Sequence, residues 1–282
     1  MSVATRRARR SHRFKILGTA PEAWIATVVL IAVWWIASNF TRPFLLPGPQ
    51  LVWQELVDQF RAQLLFQSAG ITFARVIAGI TAAFLIGLVI GTLMGAAPRF
   101  ASYSNTYLNF IQGIPSLCWI VIAIIWFRPV EVRILFIVMM ATLPSFTLQV
   151  YDGYRAISED LKEMVRSLRP SRWWRFRHFT LPALIPPILT IWRINLGAGT
   201  RDVVIAELVG SSAGIGLQIN LSEESFSMAR VMAWTLVLVL FVLVTQKVLS
   251  VIEGYVMRWR DGESSGDEPG PAKPEPGLAA AV

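Results

Sequence analysis

Arg193 lies inside an apolar run, beside Trp192 and Asn195, and Glu207 follows further along the same stretch. Ionisable side chains are expensive to bury in hydrocarbon, so those kept inside long apolar runs mark where a solute or a partner charge is handled. A guanidinium has the donors to read an anion, which makes Arg193, Trp192, Asn195 and Glu207 a candidate pathway set. Pairing of Arg193 with a carboxylate that fixes helix packing is the competing reading. A second constellation occupies the polar segment 151–182. There Leu161, Met164, Val165 and Leu168 recur at helical spacing on one face,. Glu163, Arg166, Arg169 and Arg172 accompany them, a pattern that suits filling a groove on a partner.

Residues for catalysis are missing. The histidines are His12 and His178, both on segments expected to face the cytoplasm. Neither paired intramembrane carboxylates nor His-Glu-x-x-His occurs, and no Gly-x-x-x-x-Gly-Lys-Ser/Thr loop is present to hold a nucleotide,. Cys118, the single cysteine, sits in an apolar run, so neither a disulfide framework nor a thiolate metal cluster is expected,. The chain reads as one without catalytic residues, metal or cofactor of its own.

The elements that must position these residues are membrane helices. Hydrophobic residues make up 54% of the chain and charged ones 16%, with a mean hydropathy of +0.53; a soluble domain carries about a quarter charged residues. Several apolar runs reach the roughly 20 residues needed to cross a bilayer core. The expected fold is an all-α polytopic membrane protein with about six transmembrane helices, near 23–40, 76–95, 107–127, 134–150, 183–198 and 231–251. Gly87, Gly91 and Gly95 recur at four-residue intervals after Gly79, a spacing that lets another helix approach closely,. Gly113-Ile114-Pro115 breaks or kinks the third span and Pro144 lies in the fourth,. An amphipathic stretch over 51–65 suits the outer interface.

Charge sets the orientation. Arg6, Arg7, Arg9, Arg10, Arg13 and Lys15 precede the first span without an acidic residue, which holds that end in the cytoplasm,. An even number of spans places the C-terminus there too, together with the basic 151–182 loop. The domain reading is a basic cytoplasmic segment over 1–20, a transmembrane domain over 21–255 and a disordered cytoplasmic tail over 256–282. The net charge of +8 follows from this topology, and the Trp173, Trp174, Phe176 and Phe179 aromatics among the arginines suit a membrane interface rather than a nucleic acid,.

In its ordered motifs the chain resembles the permease subunits of ABC importers, whose cytoplasmic coupling loop begins Glu-Ala-Ala, carries a glycine a few residues on and ends Leu-Pro. Glu163 stands at the glutamate, Ser167-Leu168 precede the glycine position, and Leu181-Pro182 close the motif. Leu46-Pro47-Gly48-Pro49 with Val52-Trp53, Phe73-Ala74-Arg75-Val76 with Gly79, Ile114-Pro115 with Trp119, and Ala206-Glu207 before Gly214-Ile215-Gly216 are similar to the branch importing nitrate, sulfonates and taurine.

The resemblance implies a non-catalytic subunit of the bacterial cytoplasmic membrane that forms the pathway for a small, anionic solute. Its implied partners are cytoplasmic ATPase subunits that bind ATP and Mg, a second copy or a homologous permease, and an extracytoplasmic solute-binding protein. It casts Leu161, Glu163, Met164, Val165, Arg166, Leu168, Arg169 and Arg172 as ATPase-coupling residues, with Glu163 near the start of a short helix. Arg75, Arg201, Asp202 and Glu207 lie nearer the expected outer side, where a solvated face is the default reading of each and a gate or binding-protein contact the alternative. Two positions depart from the pattern: Met164 and Val165 replace the alanines, and Arg169, followed by Pro170, replaces the glycine. A left-handed turn is costly for arginine, so the expectation is a different turn, with Pro170 opening the second short helix. A stand-alone channel or secondary transporter is the alternative, opposed by the size of the loop and the lack of an evident inverted repeat.

Overall fold

The computed structural model describes residues 21–256; the basic 1–20 segment and the tail from 257 lie outside the described residues. Within them the chain is helical and no strand forms, as expected where the backbone must satisfy its own hydrogen bonds in lipid,. Four helices are long and apolar enough to cross a membrane. They are α3 (Leu64–Ala96), α6 (Val130–Ala156), α9 (Leu181–Gly210) and α11 (Met228–Val256). Helices α4 (Pro98–Gly113) and α5 (Ser116–Trp126) together are apolar enough for a fifth span but meet at 93°, the geometry of a broken span or a re-entrant loop. Helix α1 (Pro21–Asn39) is a shorter apolar helix, tied to the chain ahead of α2 (Pro49–Arg61) by Trp34 Nε1 donating to the Pro47 carbonyl at 3.1 Å.

Two spans run further than their apolar stretches. Helix α3 begins at Leu64, not 76, because Ser68, Thr72 and Arg75 are buried against protein. Helix α9 continues past 198 to Gly210 because Asn195, Thr200 and Glu207 are buried as well. Helices α3, α6 and α9 pack on one another, α4 and α5 pack on α6, and α11 packs on α2, α9 and α10 (Ile215–Glu224). Val76, Ile80, Val138, Phe146 and Val203 form the centre of the core. Phe84, Phe146 and Trp192 join the three central helices, with ring centroids 5.5–5.8 Å apart.

The glycine stripe of α3 is the seam with α6. A Cβ on Gly87 would stand 2.9 Å from the Phe146 Cβ, and one on Gly91 would stand 2.7 Å from the Thr147 carbonyl oxygen. Both distances are shorter than real Cβ contacts, so the helices touch backbone to backbone, where dispersion supplies the association energy in lipid.

At the other end of α3 a buried charge network fastens α10, a helix the sequence reading did not foresee. Arg75 Nη1 donates to Glu207 Oε1 at 2.7 Å, to the Ala213 carbonyl at 2.7 Å and to Ser211 Oγ at 3.1 Å. Its Nε and Nη2 donate to Glu131 at 2.9 and 2.5 Å. Glu207 is 1% exposed and accepts from Thr72 Oγ1 and, at 2.9 Å, from the Gly216 amide. The Ile215 amide donates to Thr72 Oγ1 at 2.9 Å. The first two amides of α10 are therefore capped by side chains of α9 and α3, and a carboxylate at a helix N-terminus is favourable. Gly214 precedes them at φ +110°, and a Cβ there would collide with Glu207 Oε1 at 2.3 Å, so both conformation and space require glycine,.

Two measurements check these contacts. Gly91→Val should cost about 1–3 kcal/mol through overpacking, read as a lower thermal denaturation midpoint of the detergent-purified protein. Glu207→Ala strands a buried guanidinium and should cost about 3–5 kcal/mol. Glu131→Ala, whose side chain is 67% exposed, should cost under about 1 kcal/mol. Equal effects of the two carboxylate variants would contradict the assignment of Glu207 as the buried anchor.

Candidate coupling surface and pathway residues

Between α6 and α9 the 151–182 segment folds into α7 (Glu159–Ser167), a turn, α8 (Arg172–Arg175) and a π-helical turn over Phe176–Thr180 that runs into α9. Glu159 and Asp160 occupy the first turn of α7, where carboxylates suit the helix dipole,. The Lys162 ammonium, 2.9 Å from Glu159, holds that carboxyl below its usual range. Lys162 also sits over the Tyr154 ring, 5.3 Å from its centroid, and so fixes α7 against the end of α6,.

The two faces of α7 differ sharply. Lys162 and Val165 are 8% and 6% exposed, whereas Leu161, Met164 and Leu168 are 47%, 58% and 69% exposed. Val165 therefore belongs to the inner packing and not to the outward apolar stripe assigned to it from spacing. Glu163, Arg166, Arg169 and Arg172 are all exposed around that stripe. Glu163 lies in the middle of α7 rather than near its start, and its carboxylate has no partner among the described residues.

The turn corrects a second expectation. Arg169 adopts φ +47°, the left-handed conformation a glycine would take, so the turn keeps that geometry with an arginine in it,. Pro170 does not open the second helix; Ser171 caps it, its Oγ accepting from the Trp174 amide at 3.2 Å,. Beside α7 a cavity of about 720 Å³ opens between the ends of α6 and α9, lined by Asp152, Gly153, Leu161, Pro182 and Pro186 among others.

The pathway set does not converge. Arg193 Nη2 donates to Glu253 of α11, so its charge is paired within the chain, as the packing alternative had it. Trp192 packs into the aromatic core against Phe84 and Phe146. Asn195 is 3% exposed and accepts from Ser145 Oγ at 3.0 Å, while its Nδ2 lacks a partner. Glu207 is the buried anchor of α10. Sequence reasoning grouped the four because they share one run; helix periodicity sends them to different neighbours. It placed Arg75 and Glu207 on a solvated outer face and missed their pairing, which the Glu207…Gly214-x-Gly216 spacing alone could suggest only weakly. Among the described residues no group of His, Cys, Asp and Glu is placed to hold a metal ion.

Comparison with known proteins agrees with this arrangement. Residues 64–260 match the family described as binding-protein-dependent transport system inner membrane component. The chain is similar to the taurine transport system permease protein TauC of Escherichia coli (strain K12), 25% identical over 238 residues that cover 82% of this chain and 86% of that one. It is also 25% identical over 202 residues to the nitrate import permease protein NrtB of Leptolyngbya laminosa, covering 69% and 72% of the two chains. In fold it is similar to a chain of the MetNI methionine ABC transporter in an inward-facing conformation, with a TM-score of 0.63 at 19% identity over 70% of this chain and 97% of that one. With its long apolar helices and its match over most of its length, the chain belongs to the inner-membrane component family of binding-protein-dependent transport systems and is a translocation subunit of an ABC importer.

Proposed function

We propose that this subunit carries a small anion across the bacterial cytoplasmic membrane and is driven by a separate ATPase seated on α7 and the following turn. The observation that supports the coupling role most is the exposed stripe Leu161, Met164 and Leu168 on a short helix fixed from behind by Val165 and Lys162. Apolar side chains left to water on a rigid helix are what a partner groove can bury, and a rim of Glu163, Arg166, Arg169 and Arg172 can set the register through charge-assisted hydrogen bonds,. ATP and Mg are held by that partner, so this chain performs no chemistry. The termini and the α7 loop face the cytoplasm, a second permease copy or a homologous permease completes the pathway, and an extracytoplasmic binding protein delivers the solute. The anionic class follows from the taurine and nitrate named for the relatives, both of which present oxyanions.

The coupling surface has a direct test. Met164→Asp and Leu168→Asp should each weaken ATPase docking by about 2 kcal/mol or more, and the double variant should insert in the membrane yet lose the ATPase on co-purification. Val165→Asp should instead reduce the amount of folded protein. Retention of the ATPase by a membrane-inserted double variant would place coupling elsewhere.

A further inference from the structure

Three guanidinium groups lie well inside the long helices: Arg75 in α3, and Arg193 and Arg201 in α9. The first two are neutralised by Glu207 with Glu131 and by Glu253. Arg201 is exposed and has neither a hydrogen bond nor an ion pair with any described residue. The nearby opposite charge is that of Asp202, next along the helix, whose carboxylate lies beside the Ser116 hydroxyl at the start of α5. Arg201 is nine residues below the end of α9 at Gly210, about 13 Å at the helical rise, which is beyond a side chain's reach to the interface. Two residues earlier, Gly199 faces Ile80 and Thr142 in the core, so this turn of α9 sits at packed depth. Lys247 of α11 is also exposed, but it lies close to Glu253, where that helix turns polar.

A second, independent feature falls at the same place. The break between α4 and α5 leaves Gly113 and Pro115 exposed, and Ser116, the next residue, is the one that meets Asp202. Non-helical backbone at membrane depth is tolerated where it is buried in protein or lines a water-filled cavity, not against lipid. An unpaired arginine is expensive against lipid for the same reason. Both features lie on one side of the molecule, along the stripe Ile194, Ala198, Arg201, Ile205 and Leu208 of α9, none of which is fully buried in this chain.

We infer that Arg201 is the anion-reading residue of the translocation pathway, and that the exposed α4–α5 break lines the same aqueous path. The fork of the guanidinium matches the planar pair of oxygens on a sulfonate, carboxylate or nitrate group. This assignment replaces Arg193, which is already paired, and it rests on the importer reading above.

The experiment uses the whole importer, reconstituted in liposomes with its ATPase and binding protein, and nitrate and taurine as probes. Arg201→Gln should raise the solute concentration for half-maximal uptake at least tenfold, with Arg201→Lys intermediate, while the ATPase still co-purifies with both. In a Cys118→Ser background, Arg201→Cys should react with a charged, water-borne thiol reagent, and Leu240→Cys on the outer face of α11 should not. Unchanged uptake in Arg201→Gln, or an unreactive Arg201→Cys, overturns the inference. Failure of both arginine variants to assemble also overturns it and marks Arg201 as a contact with a carboxylate of the second permease. If the wild-type importer moves neither probe, the relatives' solutes are not its own, and the thiol measurement alone then decides whether Arg201 lines the pathway.

Discussion

One half of this bundle depends on one buried carboxylate. Glu207 receives Arg75, Thr72 and the Gly216 amide at once, so a single side chain on α9 fixes the end of α3 and starts α10. The arrangement solves two problems together. A guanidinium at that depth needs an anion, and the first amides of a helix that begins inside protein need acceptors. Glu131, mostly exposed, takes the remaining donors of Arg75 and brings in the start of α6. Three spanning helices and one short helix thus share a common point.

The opposite half is held by shape. Glycines on α3 let it lie against α6 at backbone contact, and Gly153 of α6 meets Pro187 and Leu184 of α9 in the same manner. Such contacts resist sliding, because interdigitated surfaces have few alternative registers. Lys162 of α7 sits over the Tyr154 ring at the end of α6, and Val165 beside it is buried, so α7 is tied to the end of the helix that carries the seam.

Between the two halves lies the side of α9 that carries Arg201, next to the broken span of α4 and α5. None of the residues along that stripe of α9 is fully buried in this chain. Charge that is paired inside the chain, at Arg75 and Arg193, builds the frame; charge left unpaired is available to a solute. Sorting the cations in this way needs their partners, not their positions in the sequence.

The sequence by itself determined the membrane class, the position of the helix break, the close approach of the glycine stripe and the short amphipathic helix of the 151–182 segment. Each of these is a local property: apolar length, a proline, a small-residue spacing, a helical period. The tertiary structure decided the rest. It extended α3 and α9 through polar residues because other helices bury them, and turned Val165 inward while leaving Leu161, Met164 and Leu168 outside. It put Arg169 in a left-handed turn, and it paired Arg193 with Glu253 and Arg75 with Glu207, across separations of 60 and 132 residues. A hydropathy pattern records whether a residue avoids water, but the partner that satisfies a buried charge comes from a distant turn of another helix, and only packing brings the two together.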